Sequence, residues 1–345
     1  MIVTASAPGK LVVSGEYAVL VGAPALVLAL DRRVVVRIAR GERDWRFTSH
    51  GYTGSARHPL SDLLGAREIS PDDPAYMIQQ VLRAMVASGA HCDRETAVDV
   101  EIDSRAGFEA GAKLGIGTSA AVCVASTAAC CAYLGVDADV LALALAAHTA
   151  AQAGRGSGLD VAAAHRGGLI RYARAKAQSE RDAKGEPSAR PTIDSVEWPA
   201  SVHRLAIWTR ESASTVDYID RFDRWRRERR RPSLEALVEA AEATAHALSD
   251  GASFMRELRA FAARLGELDR DSGLGVLSHA HRRLAELAGD AVVYKPCGAG
   301  GGDLGLACSQ DLAALAAFGA AAADRGYSPL SLELPQHGVD VSIAR

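Results

Sequence analysis

Residues 113–122 read KLGIGTSAAV, and an alanine-rich run follows as far as Ala153. Few features restrict a fold more. Two glycines one residue apart make a turn, and the small-residue stretch behind them packs as closely fitted, buried helices. Asp137, Asp139 and His148 interrupt the run, so it is no membrane span. On these residues alone three readings of the turn stay open. Gly115-x-Gly117-x-x-Ala120 could open a dinucleotide-binding unit, grip the phosphates of a nucleotide, or simply cap a helix. The dinucleotide reading is weak, because the alternating strand 97–102 (AVDVEI) ends well before Gly115. The phosphate reading has hydroxyls at Thr118 and Ser119 and a cation at Lys113, but no Walker-type G-x-x-x-x-G-K-[ST] occurs in the chain.

Around this turn the pattern is α+β. Strands are expected at 12–13, 25–38, 97–102, 169–172, 203–209 and 291–294, with closing strands at 330–334 and 339–343. Helices are expected over 119–134 with Thr118 as cap, 140–152, 234–248, 254–269 and 310–325, and 156–164 starts as a glycine turn and becomes a helix. The charged stretch 173–191 carries Gly185, Pro187 and Pro191 and reads as an exposed loop. With 345 residues the chain exceeds the usual span of one core, and the composition shift near Pro199 divides it into units 1–195 and 196–345.

Two further stretches narrow the readings. Near the start lies Pro8-Gly9-Lys10, followed by Gly15-Glu16-Tyr17-Ala18-Val19; near the end lies Lys295-Pro296-Cys297-Gly298-Ala299-Gly300-Gly301-Gly302-Asp303. With the central loop, these resemble in order the three signature motifs of the GHMP kinases, and the resemblance spans nearly the whole chain. Within that superfamily EIDS at 101–104, AQAGRGSGLDVAAA at 151–164 and WTRESAST at 208–215 look most like the phosphomevalonate kinases. Departures are Ile116 and Thr118 where Leu and Ser are usual, and Arg210 where glycine is common, which bears on the acceptor pocket.

The resemblance implies a two-domain α+β GHMP kinase fold, with an N-terminal half like the second domain of ribosomal protein S5 and a C-terminal ferredoxin-like α/β sandwich. It implies an ATP- and Mg²⁺-dependent transfer of phosphate to (R)-5-phosphomevalonate, with mevalonate kinase or another small-alcohol or sugar kinase as the alternative and a non-catalytic homologue as a third reading. Gly115, Gly117, Thr118, Ser119 and Ala120 would cradle the nucleotide phosphates, Ser119 reaching the metal and Lys113 adding charge. Asp160 matches the active-site aspartate and Lys10 the lysine that pairs with it. Ser157, Gly158, Ser212, Ser214, Thr215, Gly298, Ala299, Gly300 and Gly301 would meet the acceptor, and Glu16 reads as a supporting residue.

The remaining totals mainly exclude. A net charge of −3 offers no global field for nucleic acid or anionic membrane. The run Arg221–Arg231 interleaves cations with aromatics, but Asp223 and Glu228 break it, and it reads as a solvated helix end or a local attraction for an anionic substrate. The six cysteines make no C-x-x-C pair and are expected as buried free thiols. The N-terminus lacks a signal-peptide layout, so the expected compartment is the cytoplasm, with small molecules as partners. A homodimer is compatible with the sequence.

Overall fold

In the computed structural model all residues are described except 51–53, 91–96, 175–189, 212–214, 228–230, 332–334, 336 and 345, together with the side chains of 215 and 216. The chain runs β1 (Ile2–Ser14), β2 (Ala25–Arg40), β3 (Trp45–His50), β4 (Ser55–His58), α1 (Leu60–Leu64), α2 (Tyr76–Ala87), β5 (Val98–Asp103), β6 (Phe108–Glu109), β7 (Ala112–Lys113) and α3 (Thr118–Leu134). It continues through α4 (Val140–Ala151), α5 (Leu159–Arg166), β8 (Leu169–Ala173), β9 (Thr192–Val196), β10 (His203–Trp208), α6 (Thr215–Arg227), α7 (Pro232–His246) and α8 (Gly251–Ser272). The last elements are α9 (His279–Ala288), β11 (Val293–Pro296), β12 (Leu304–Ser309), α10 (Leu312–Ala323), β13 (Ser328–Leu330) and β14 (Asp340–Ala344).

The first sheet is ordered β14-β1-β2-β5-β3-β4, with β8 and β9 added beside β2. Its core packs Val36, Ile38, Phe47 and Val100 against α2, α3 and α4 through Ile78, Leu82, Cys123 and Val124. The alanines explain α3: small side chains at almost every position let it bury nearly all round, where a one-sided helix would expose a face. The second sheet, β11-β12-β10-β13, is antiparallel and is backed by α9 and α10.

Three expectations change. The opening strand is 13 residues long, not the pair 12–13, because Pro8 and Gly9 sit at a register shift and the pairing with β2 resumes beyond them. The closing strand 339–343 was assigned to the second unit. Instead β14 pairs antiparallel with β1, Val3 opposite Ile343, so the chain returns to the first sheet. Thr118 does not cap α3: the cap is Gly117 at φ +71, with no side-chain cap bond.

The basic run also acquires structure. Phe222 on α6 is fully buried against Tyr17, with ring centroids 5.0 Å apart. Arg231 is buried over the Trp225 ring at 4.5 Å and donates to the Trp225 carbonyl oxygen. Much of the stretch is therefore packing. Cys123, Cys297 and Cys308 are free, buried thiols, as expected, and Cys130 and Cys131 are buried too, while Cys92 and most of the 173–191 loop lie outside the described residues.

Candidate active site

The three motifs meet physically. The backbone N–H of Lys10 donates to the Ile116 carbonyl at 2.7 Å, which lays the central loop on the β1 bulge. A side chain on Gly9 would strike Ile116, its Cβ coming within 2.9 Å of the Ile116 side chain and 3.0 Å of the backbone oxygen. On its other side the loop meets Asp303: a Cβ on Gly115 would lie 2.3 Å from the Asp303 carboxyl carbon. Gly115 and Gly117 both take left-handed φ, +73 and +71, which L side chains reach only with strain. So the loop needs glycine twice, for close approach and for backbone turn.

The cleft formed there is lined by Lys10, Lys113, Gly115, Gly117, Thr118 and Ser119 on one side, by Gln152, Gly156, Ser157 and Asp160 on another, and by Gly298, Ala299 and Asp303 opposite. Apolar walls come from Val12, Val19, Leu20, Leu159 and Ile219. Ser119 opens α3 at its N-terminus, where free N–H groups and the helix dipole favour an anion. Lys10 Nζ donates to the Gly115 carbonyl at 3.4 Å. Asp160 stands in the first turn of α5 and accepts from the Val161 N–H at 3.0 Å. A Cβ on Gly117 would lie 3.0 Å from Lys10 and 3.6 Å from the Asp160 Cβ, so these side chains flank the same loop residue. Among the described residues they make no direct ion pair. The expected pairing is here a shared approach to one point.

Beneath the cleft, Lys295 Nζ donates to Glu16 Oε1 at 2.5 Å, and both side chains are about 1% exposed. Burial pushes the Glu16 carboxyl up, although Lys295 and the N–H groups of Glu16 and Gly298 pull the other way. Burial alone would lower Lys295; the Cys297 and Glu16 groups facing it outweigh that and hold its ammonium above the ordinary lysine value. Tyr17, at φ +61, donates its hydroxyl to the Ala299 carbonyl at 2.6 Å, a second tie between the first motif and the last.

Other expected site residues lie elsewhere. Ala120 is fully buried in the first sheet's core and does not line the cleft. Gly158, at φ +81, caps α5 outside the lining. Gly300 and Gly301 sit behind the lining residues, pressed against Val276 and the Tyr218 hydroxyl. Ser212 and Ser214 lie outside the described residues, and only the backbone of Thr215 is described. Arg210 faces away from the cleft, donating to Ser328 Oγ at 3.1 Å and stacking over Trp208. Its φ of +64 explains why glycine suits that position.

Sequence reasoning missed Tyr17, Gln152, Ile219 and Asp303 as lining residues. Tyr17, Gln152 and Asp303 lie inside the quoted motif stretches, and that membership was the available signal. Ile219 on α6 reaches the cleft by tertiary packing and left no such trace.

Known proteins resemble this chain in sequence and in fold. The GHMP kinases N terminal domain model matches residues 76–168. The chain is 31% identical to the phosphomevalonate kinase of Streptomyces sp. (strain CL190), covering 87% of this chain and 88% of that one. It is 33% identical to the mevalonate kinase of Aeropyrum pernix over about half of each chain, 49% and 50%. Among solved structures, Streptococcus pneumoniae phosphomevalonate kinase in complex with phosphomevalonate and AMPPNP superposes with a TM-score of 0.74 at 23% identity, covering 96% of this chain and 99% of that one. The protein belongs to the GHMP kinases and is a phosphotransferase of the family to which these phosphomevalonate kinases belong.

Proposed function

We propose that the protein transfers the γ-phosphoryl group of ATP to (R)-5-phosphomevalonate, giving the 5-diphosphate on the mevalonate route to isoprenoids. The observation that carries this is the convergence of Lys10, the Gly115–Ser119 loop, Asp160 and the glycine turn 298–303 on one cleft, in a chain 31% identical to a phosphomevalonate kinase along most of its length. In this reading Gly117, Thr118 and Ser119 hold the nucleotide phosphates at the start of α3. Lys113 and Lys10 offset the repulsion between two anionic substrates. An acceptor phosphate, with a second pKa of about 6, is already nucleophilic at neutral pH. Asp160 then acts chiefly in orienting the acceptor and Lys10, and proton removal contributes less than it would for an alcohol.

The donors fit Mg²⁺. The Ser119 hydroxyl and the Asp160 carboxylate line the same cleft, and both are hard oxygen groups. Among the described residues no cluster of three or more metal-ligating side chains exists. That suits an ion held by one or two protein oxygens plus substrate phosphates. When bound, the ion would neutralise charge on the transferring phosphoryl group. No described helix is long and apolar enough to cross a membrane. A cytoplasmic, small-molecule enzyme completes the reading.

The test is ADP release by purified protein across mevalonate, phosphomevalonate, homoserine and galactose. Turnover with phosphomevalonate well above the others supports the reading. Turnover with mevalonate alone replaces it with mevalonate kinase, and background rates with all four remove the kinase assignment of this cleft.

A further inference from the structure

Asp303 has no assigned role, yet the fold constrains it from every side. It adopts φ +56, a left-handed conformation that costs a non-glycine residue about 1 kcal/mol or more. Both flanking peptides are pinned. Its own carbonyl accepts from the Thr209 N–H and from Thr209 Oγ1, each at 2.9 Å. The peptide before it is held at both ends: the Asp303 N–H donates to the Glu211 carbonyl at 2.7 Å, and the Gly302 carbonyl faces His281 Nε2 at 2.9 Å.

His281 is fully buried, and its tautomer follows from its partners. A carbonyl only accepts, so Nε2 carries the hydrogen; Nδ1 is then bare and accepts from the Tyr294 hydroxyl at 2.9 Å. Burial lowers the imidazole pKa to about 4, so the neutral donor persists at physiological pH. The clamp therefore runs from Tyr294 through His281 to peptide 302–303, and from there to Asp303. The Asp303 side chain ends against Gly115, where a Cβ would meet its carboxyl carbon at 2.3 Å.

We propose that Asp303 is a positioning residue that seats the central glycine loop, and that His281 holds it there through peptide 302–303. The inference rests on Gly115–Ser119 being the nucleotide-phosphate loop. Its effect falls on nucleotide binding, since the seat touches Gly115 and not the Gln152–Ser157 side of the cleft. The bulk of the side chain does the seating, since it is what a Cβ on Gly115 would meet.

The experiment measures AMPPNP binding by calorimetry, with steady-state KM values for ATP and acceptor. Asp303→Gly keeps the left-handed backbone and removes the seat; Asp303→Asn keeps the shape and also tolerates the conformation. His281→Leu removes the clamp, and His281→Gln retains an N–H donor. Asp303→Gly and His281→Leu are expected to weaken AMPPNP binding about tenfold and raise the ATP KM in step, while the acceptor KM stays within about twofold. Asp303→Asn and His281→Gln are expected to recover most of the loss. If His281→Leu does not fold, the two Asp303 variants decide. A wild type that binds no nucleotide overturns the phosphate-loop reading, and this proposal with it. Normal wild-type binding with Asp303→Gly equally tight overturns this proposal alone. So does an Asp303→Asn variant no better than Asp303→Gly, or equal loss for both substrates.

Discussion

Two ion pairs frame the cleft, and they differ in everything but charge. Glu16–Lys295 lies beneath it, about 1% exposed on each side chain and 2.5 Å apart. Arg155–Asp220 lies at its mouth, 44% and 43% exposed and 3.1 Å apart, joining the 152–157 turn to α6. Each connects the first half of the chain to the second. In the floor, water is excluded, so each charge depends on its partner. At the rim, water and salt can replace either one. The floor ties the first motif to the last in one geometry, while the rim joins its two segments only weakly.

The sharpest way to break this comparison is to remove one floor partner. Lys295→Met leaves a buried carboxylate without its cation, a class of change that costs roughly 3–5 kcal/mol. Urea unfolding should show that loss at pH 7. The Glu16 carboxyl is already pushed up by burial, and without Lys295 it rises further. A folded-state carboxyl raised above its unfolded value costs stability as pH increases, so the variant should recover toward acid pH. Glu16→Gln combined with Lys295→Met should restore part of the loss. A Lys295→Met protein as stable as wild type at pH 7 would mean the floor pair is no more than the rim pair moved inward.

Between floor and rim stand Lys10 and Asp160, which line the cleft and which the proposed function assigns to substrate and not to stability. Lys10→Met and Asp160→Asn are each expected to lower kcat by at least about a hundredfold, the scale of a lost electrostatic or acid–base group. Their unfolding midpoints should stay near wild type, in contrast to the floor variants. Near-normal rates in both would remove these residues from the reaction.

The floor and the rim were not equally legible in the sequence. The glycine motifs marked where the backbone must approach other chain segments, and Gly9, Gly115 and Gly117 are where the structure places those approaches. Lys10, Ser119 and Asp160 could be named because each adjoins such a motif. Glu16 was read as a supporting residue, but its partner Lys295 lies 279 positions away, and nothing local to either announces the pair. The same holds for Ile219 on α6, which lines the cleft, and for its neighbour Asp220: α6 is brought there by tertiary contacts, among them Phe222 on Tyr17 and Arg221 donating to the Gly273 carbonyl. The strand β14 lies at about the expected residues, but it pairs with β1 of the first sheet and not with a strand of its own unit. Alternation identifies a strand but does not say which edge receives it.

Acid pH separates the two regions by a different lever. His281 in the floor titrates at about 4, below the ordinary histidine value of 6.5, because burial disfavours its charged form. The unfolded chain therefore binds this proton first. The group's contribution to stability is complete above about pH 6.5 and is lost as pH falls toward 4, at up to about 1.4 kcal/mol per unit. His281→Gln should flatten that part of the stability curve measured by urea unfolding from pH 7 to 4. An unchanged slope would assign the acid sensitivity to other groups.

The smallest effect belongs to the rim. A double-mutant cycle on Arg155→Gln and Asp220→Asn should give a coupling energy below about 1 kcal/mol, as half-exposed pairs do. In 1 M salt, where the screening length is about 3 Å, it should vanish. The Glu16–Lys295 coupling should survive the same salt, since no ion reaches side chains that water does not. Ionic strength is thus the variable that parts two pairs of identical charge. A rim coupling that resists salt would place Arg155 and Asp220 in a drier contact than their exposure shows, and would make the mouth of the cleft as fixed as its floor.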